Sequence, residues 1–306
     1  MPITLRRLIN SSFGVSSALW LGRTTPNKIG KRIAHSVGEW MAVHQDWEMV
    51  RAVRANRWVV SGEALQGAEL DKAVKATFCH TADSLFTLYH HFQDLKEMRR
   101  LVEIDPISYK ILFRPKYEAR GIVIVGLHVG NFDLVLQAAG LMGLDALVLT
   151  LPELPGGYKL QYDFRRRTGM NLVPASMRAM RQSVDYLRAG GMVVTGIDRP
   201  EDGYTYRPMF FNHPSALPVH HIVLALKAQV PVRLACSLLK PDGKYHLTFS
   251  EPIEMQPYPD RKQEILANAE AILKAAEGII SQAPEQWEMT FPVWPEALNQ
   301  MPGYIS

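Results

Sequence analysis

The stretch GIVIVGLHVGNFDLVLQAAGLMGLDALVLT (residues 121–150) decides how this chain is read. Its first seven residues form an apolar, β-branched run bounded by glycine, the composition of a strand buried on both faces. An apolar helical pattern over 131–143 follows, and 145–150 returns to strand character. Strand, helix and strand within about thirty residues make a βαβ unit, whose two strands lie parallel. The alternation continues to the C-terminal side. Residues 192–197, 231–239 and 244–250 read as strands, while 158–169, 176–189, 216–229 and 260–282 read as helices. Pro241-Asp242-Gly243 marks a hairpin that turns the last strand antiparallel at the sheet edge. The expected fold class is α/β: a central, mostly parallel sheet flanked by helices, with a helical N-terminal extension.

That extension covers 1–105 and the α/β domain 106–306. Thr25 and Pro26 suit an N-cap and first helical position, and Ile29, Ile33, Val37, Trp40 and Met41 then recur on one helix face. From Gly67 to about Arg99, Leu70, Val74, Phe78, Leu85, Tyr89 and Phe92 keep a helical period. Core packing accounts for most of these residues. Further upstream, LINSSFGVSSALWLG (8–22) is too short and too rich in serine to span a bilayer. Leu5, Leu8, Ile9, Phe13, Leu19, Trp20 and Leu21, with arginines on either side, instead suit an interfacial anchor or a packed helix. A signal peptide fits less well, because no small-residue cleavage site precedes TTPNKIGKR.

Composition narrows the classes. The 306 residues are 47% hydrophobic and 21% charged, which supplies a large core and excludes disordered, collagenous and coiled-coil chains. Cys79 and Cys236 stand far apart and fit neither a disulfide scaffold nor a zinc motif, in keeping with a reducing compartment. The net charge of +4 is uneven. Residues 1–57 carry nine Arg/Lys against three acidic residues, a net +6 that leaves −2 for the remainder. A basic N-terminal section suits an anionic membrane face or nucleic acid, or is simply a solvated helix face. No nucleic-acid motif is present. Phosphate-binding and dinucleotide glycine loops and the G-x-S-x-G elbow are also missing from the sequence, so no cofactor is expected.

Ionisable groups gather where parallel strands end, at the carboxyl edge of the sheet. His128 closes the run 121–127, and Gly126 and Gly130 on either side permit a tight turn and a close ligand approach. Asp133 lies in the first turn of the next helix, positioned to fold back toward Nδ1 of His128 and leave Nε2 as a general base. The bland alternative, a hydrogen-bonded histidine and a favourable helix-start charge, explains each residue singly but not their coincidence at one sheet corner. A metal site lacks a third ligand at suitable spacing; His220 and His221 are adjacent and face apart.

GLHVGNFDL resembles the first block of the lysophospholipid acyltransferase superfamily, whose HX4D/E pair deprotonates an acceptor hydroxyl that attacks an acyl thioester. RRRTGMNLVP (165–174) is similar to the family's Arg-and-Gly segment, and YLRAGGMVVTGIDRP (186–200) to its helix, glycine and strand ending in an acid. MFFNHPSALPVHHIVLALKAQVPV (209–232) and PEQWEM (284–289) resemble elements of the branch of bacterial lipid A and mycobacterial mannoside acyltransferases. The likeness covers about 106–290. Asn212 stands where that branch usually has glycine, and Arg199 where glutamine is commoner; both bear on the acceptor rather than the reaction.

The resemblance implies a peripheral enzyme on the cytoplasmic face of the inner membrane, moving an acyl group from acyl-CoA or acyl-ACP to a hydroxyl of a glycolipid or lysophospholipid. That chemistry needs a base, oxyanion donors and cations for phosphate. His128 and Asp133 are the expected catalytic pair, and the backbone N–H groups at Gly130 and Asn131 the oxyanion donors. One of Arg165, Arg166 and Arg167 is the expected clamp. Asp198, at the same sheet edge, is a candidate to bind an acceptor hydroxyl or support an arginine, with pairing to Arg199 or Arg207 as the plainer alternative. Phe210 and Phe211, beside Met209, are candidates to line an acyl groove, although core packing is the stronger expectation for a single aromatic. His213, His220 and His221 receive no role. A non-catalytic lipid- or anion-binding protein on this scaffold is the other class, separated from the enzyme by whether His128→Ala abolishes function.

Overall fold

The computed structural model describes residues 11–115, 119–151, 157–200, 203 and 205–301. Leu5, Leu8 and Ile9 of the expected anchor lie outside them. The N-terminal helices are α1 (Ser12–Thr24), α2 (Asn27–Ala42), α3 (Glu48–Val60), α4 (Gly67–His90) and α5 (Leu95–Leu101). After them come β1 (Val102–Ile104), α6 (Pro106–Leu112), β2 (Ile122–Gly130), α7 (Phe132–Leu141), β3 (Leu147–Thr150), α8 (Gly157–Arg166) and β4 (Asn171–Pro174). The chain continues through α9 (Met177–Arg188), β5 (Met192–Gly196), β6 (Met209–Phe210), β7 (His213–Pro214), α10 (His220–Ala228), β8 (Val232–Leu239), β9 (Tyr245–Phe249) and α11 (Arg261–Ile280).

Seven strands form one sheet in the order β1-β9-β8-β2-β5-β3-β4, and every pairing is parallel except β8 with β9. This is the expected α/β architecture. The hairpin turns where Gly243 takes a φ of 77°. Four strands, β1, β4, β6 and β7, go beyond the sequence expectation; at two to four residues they are too short to show a period. β2 sits at the centre, with Val123 and Val125 fully buried, which explains its unbroken apolar run. Met49, Val53, Trp58, Leu70, Val74 and Phe78 of α3 and α4 belong to the same core as β2, so these helices are built into the α/β unit.

The expected single helix over 67–99 divides. Gln93 adopts a φ of 63°, ending the first part, and the Asp94 side chain caps α5 by accepting from Glu97 N–H. The larger departure concerns α2. Core packing was expected for Ile29, Ile33, Val37 and Trp40, yet all four are exposed. The buried side of α2 is instead glycine. A Cβ on Gly30 would lie 2.1 Å from the Phe86 ring and one on Gly38 2.6 Å from the Phe78 carbonyl, so α2 meets α4 backbone to backbone. Close approach selects small residues inward, and the large apolar ones are left outward.

Candidate active site

β2 leaves its ladder where the chemistry sits. Gly126 pairs with Ala235 and Gly130 with Ser237, so four steps of β2 oppose two of β8, a bulge that carries His128 at its centre. Three of the backbone groups freed by the bulge have partners within the protein. His128 N–H donates to Asp198 Oδ2 (2.8 Å), the His128 carbonyl accepts from Glu288 N–H (2.8 Å), and the Val129 carbonyl accepts from Ser237 Oγ (2.9 Å). Gly130 closes the bulge at a φ of 63°, and a Cβ there would stand 1.7 Å from the Ser237 carbonyl oxygen, so only glycine fits. The Asn131 side chain caps α7, accepting from Leu134 N–H and donating to the Ser84 carbonyl.

The carboxylate on the imidazole is Asp198, and here the sequence expectation is corrected. Nδ1 of His128 lies 2.6 Å from Asp198 Oδ1. Asp198 has no exposed surface and also accepts from Trp287 Nε1–H at 2.8 Å. Burial works against its charge, but the adjacent His128 ring and the three donors outweigh burial and hold the carboxyl below its ordinary range. Asp198 thus spends its oxygens on His128 and Trp287, and Arg207 reaches Glu296 at 3.4 Å. Arg199 lies over the Phe291 ring instead, at 4.2 Å.

Asp133 is held by Arg165, not by His128 Nδ1. Arg165 Nε and Nη2 grip Oδ1 and Oδ2 at 2.8 Å each, a two-pronged pair, and Gln137 Nε2 donates to Oδ1 at 3.4 Å. Burial again opposes the carboxylate, and Arg165 overcomes it, leaving Asp133 below its usual range. Arg165 is thereby committed within the protein, whereas Arg166 and Arg167 are exposed.

The His128 ring is 26% exposed and meets Phe132 edge-on, with ring centroids 4.7 Å apart. A Cβ on Gly196 would come 3.7 Å from its Cε1, so glycine there keeps that edge open. Since Nδ1 is committed as donor to Asp198, Nε2 is the nitrogen available to take a proton.

Three residues of the site escaped the sequence reading. Trp287 supports Asp198, and Gln286 before it accepts from Leu239 N–H and donates to the Leu239 carbonyl, locking the PEQWEM element onto the end of β8. Glu288 holds the His128 carbonyl. The pairing of Asp198 with His128 had a signal: Gly126 and Gly196 are partners on β2 and β5, so residues two further along each strand share one edge.

Phe210 is fully buried and stacks on Trp294 at 5.4 Å, so it packs the core. Phe211 is partly buried and, with Asn212, makes the β6–β7 turn at φ of 48° and 60°. Asparagine tolerates this left-handed backbone better than other side-chain-bearing residues, so Asn212 suits the turn. His220 Nε2 meets Thr195 Oγ1 at 2.7 Å, His221 is buried, and His213 lies 3.2 Å from Glu63.

A mostly parallel sheet carrying a histidine–carboxylate pair at its carboxyl edge, with the imidazole partly open to solvent, has a build that suits acyl transfer. The family comparison makes this specific. Residues 4–295 match the family model described as bacterial lipid A biosynthesis acyltransferase, and the chain belongs to that family. Its role is acyl transfer to lipid. No curated protein matches the chain. Among the described residues no helix is long and apolar enough to cross a membrane, and no group of three His, Cys, Asp or Glu side chains could hold a metal ion.

Proposed function

We propose that His128 is the general base of an O-acyl transfer from acyl-CoA or acyl-ACP to a hydroxyl of a glycolipid or lysophospholipid, at the cytoplasmic face of the inner membrane. Nε2 takes the hydroxyl proton as the oxygen attacks the thioester carbonyl. The tetrahedral oxyanion is met by backbone N–H groups at Gly130 and Asn131. Its collapse breaks the carbon–sulfur bond, and the leaving thiolate receives the proton from the imidazolium. Asp198 keeps the ring in the Nδ1–H tautomer and stabilises the imidazolium. Asp133 acts one step removed, ordering Arg165 and the end of α8, from which the exposed Arg166 and Arg167 meet substrate phosphate.

The observation that carries this reading is the buried carboxylate 2.6 Å from Nδ1 of a ring that stays partly open to solvent. Residues 1–105 supply the membrane-associating surface and 106–306 the catalytic domain. Phe13, Trp20, Leu21, Ile29, Ile33, Val37, Trp40 and Val43 form an exposed apolar set on α1, α2 and the residue after it, beside exposed Arg23, Lys28, Lys31 and Arg32. Apolar residues edged by cations fit the boundary of an anionic bilayer.

The test is transfer of labelled acyl chains from acyl-CoA and acyl-ACP to vesicle-borne lipid A precursors and lysophospholipids. His128→Ala should lower turnover by at least a hundredfold. Equal turnover in wild type and variant would leave lipid binding as the role of the scaffold.

A further inference from the structure

Trp287 bears on the catalytic corner with both its backbone and its ring. Its backbone lies opposite Val129 in an antiparallel bridge, and the next residue, Glu288, donates to the His128 carbonyl at 2.8 Å, so residues 287 and 288 run along the bulged part of β2. The indole Nε1–H donates to Asp198 Oδ2 at 2.8 Å, while Oδ1 of the same carboxylate lies 2.6 Å from Nδ1 of His128. The last torsion of an aspartate side chain is soft, so a rotamer alone does not fix the plane of the carboxylate. Two donors on Oδ2, the His128 N–H and the indole N–H, fix it here and leave Oδ1 to the imidazole.

The indole is itself held. Trp287 is buried, and Phe210 and Trp294 both stand edge-on to it with ring centroids 6.1 Å away, inside the range of about 4.5–7 Å in which aromatic pairs attract. Phe210 in turn stacks on Trp294, and both its neighbours are pinned to α11. Met209 N–H donates to Glu270 Oε1 at 3.0 Å and Phe211 N–H to Glu277 Oε1 at 2.6 Å. The two tryptophans of this cluster differ in one respect. Nε1 of Trp294 is buried without a hydrogen-bond partner among the described residues, whereas that of Trp287 is spent on the carboxylate. Packing needs no indole N–H, so the one on Trp287 serves Asp198.

We propose that Trp287 is a positioning residue for the acyl transfer: its Nε1–H sets the rotation of the Asp198 carboxylate, and the fully buried Phe210 acts through Trp287, as the wall that keeps the indole in place. A carboxylate turned away from Nδ1 leaves the imidazole free to take either tautomer, and Nε2 is then a base for only part of the time. The indole exchanges no proton during turnover. The proposal rests on acyl transfer at His128.

Trp287→Phe keeps an aromatic ring and removes the N–H that Asp198 uses, and Trp294→Phe removes an unpartnered one. Both take similar volume from the core, so loss of packing alone would treat them alike. Assayed well below either Tm, Trp287→Phe should lose about tenfold or more in kcat at unchanged KM, and Trp294→Phe should stay within about threefold of wild type. Phe210→Leu should lower kcat by about three- to tenfold, again at unchanged KM. In an Asp198→Asn background, Trp287→Phe should cost less than about threefold further, because the tautomer it protects is already lost. A readout free of turnover is 1H–15N NMR of tryptophan-labelled, full-length protein: the Trp287 indole N–H signal should move in Asp198→Asn while that of Trp294 stays. Equal kcat in Trp287→Phe and Trp294→Phe, strict additivity with Asp198→Asn, wild-type kcat in Phe210→Leu, or an unmoved Trp287 signal would each overturn the assignment. Failure of the His128 reading shows separately, as activity retained by His128→Ala.

Discussion

Asp198→Asn separates the structural account from the one drawn from spacing alone. The two oxygens of Asp198 have different duties: Oδ2 accepts both His128 N–H and Trp287 Nε1–H, while Oδ1 meets only Nδ1 of His128. An asparagine of the same shape satisfies more donors by placing its carbonyl oxygen at the Oδ2 position. Its NH2 then faces Nδ1, forcing that nitrogen to accept and moving the ring proton to Nε2. The base is thereby converted into a donor, and kcat should fall by about 10²–10⁴. The cost in stability is smaller. Two bonds to a charged acceptor become bonds to a neutral one, about 1–2 kcal/mol in all, partly offset because no charge is buried. For a chain of this size that is a loss in Tm of about 5 °C or less. Turnover of labelled acyl donor and a thermal melt on the same preparation measure both. Turnover within tenfold of wild type, with the melt as expected, would refute Asp198 as the residue that sets the ring tautomer.

Three further outcomes follow from the geometry. Asp133→Asn leaves the Arg165 guanidinium facing a neutral partner in a mostly buried site and should cost about 3–5 kcal/mol in chemical denaturation; Asp133→Asn/Arg165→Gln should lose less than the two single changes added together, and strict additivity would show the pair to be uncoupled. Ile33→Glu and Trp40→Glu, both at exposed sites on α2, should leave Tm within about 2 °C yet weaken partition onto anionic vesicles by about 10–100-fold each, the factor for withholding one large apolar side chain from the bilayer; unchanged partition would remove α2 from the docking surface. His220 is held neutral by burial, its imidazole pushed down to about 4, whereas in the unfolded chain it protonates near 6.5. The unfolded state therefore binds the extra proton between those values, stability falls as pH falls through that window, and His220→Gln should remove about 2 kcal/mol of the loss between pH 7 and pH 5, a slope identical to wild type being the contrary result.

Much of the architecture was legible because it follows from local periodicity. The apolar run of β2, the alternation of strands with helical patterns, and the Pro-Asp-Gly turn between β8 and β9 are consequences of short-range sequence, and they gave a mostly parallel sheet with one antiparallel pair; the expected place of that pair at the edge is taken by the short β1, which runs parallel beyond β9. The histidine near the end of β2 was legible for the same reason, since the apolar run and its flanking glycines mark where the strand ends, but the bulge that aims its side chain was not. The inward face of α2 was not legible. Hydropathy predicts which residues leave water in an isolated helix, but Gly30 and Gly38 fit so closely against α4 that steric access, not hydropathy, chose the buried side.

The partners of the ionisable groups belong to the same second category. Sequence alone placed His128, Asp133 and Asp198 at one edge of a sheet, because strand ends and helix starts are local properties, and left Arg165 as one of three arginines on a helix. It offered Asp133 to His128 since those two are neighbours along the chain. Tertiary structure paired them the other way. The bulge in β2 directs His128 toward the end of β5, where a fully buried carboxylate needs donors, while the end of α8 brings a fork of guanidinium nitrogens to Asp133. A buried charge takes whichever partner repays its desolvation, and that partner is supplied by whatever the fold brings within 3 Å, a distance that spacing along the chain does not encode.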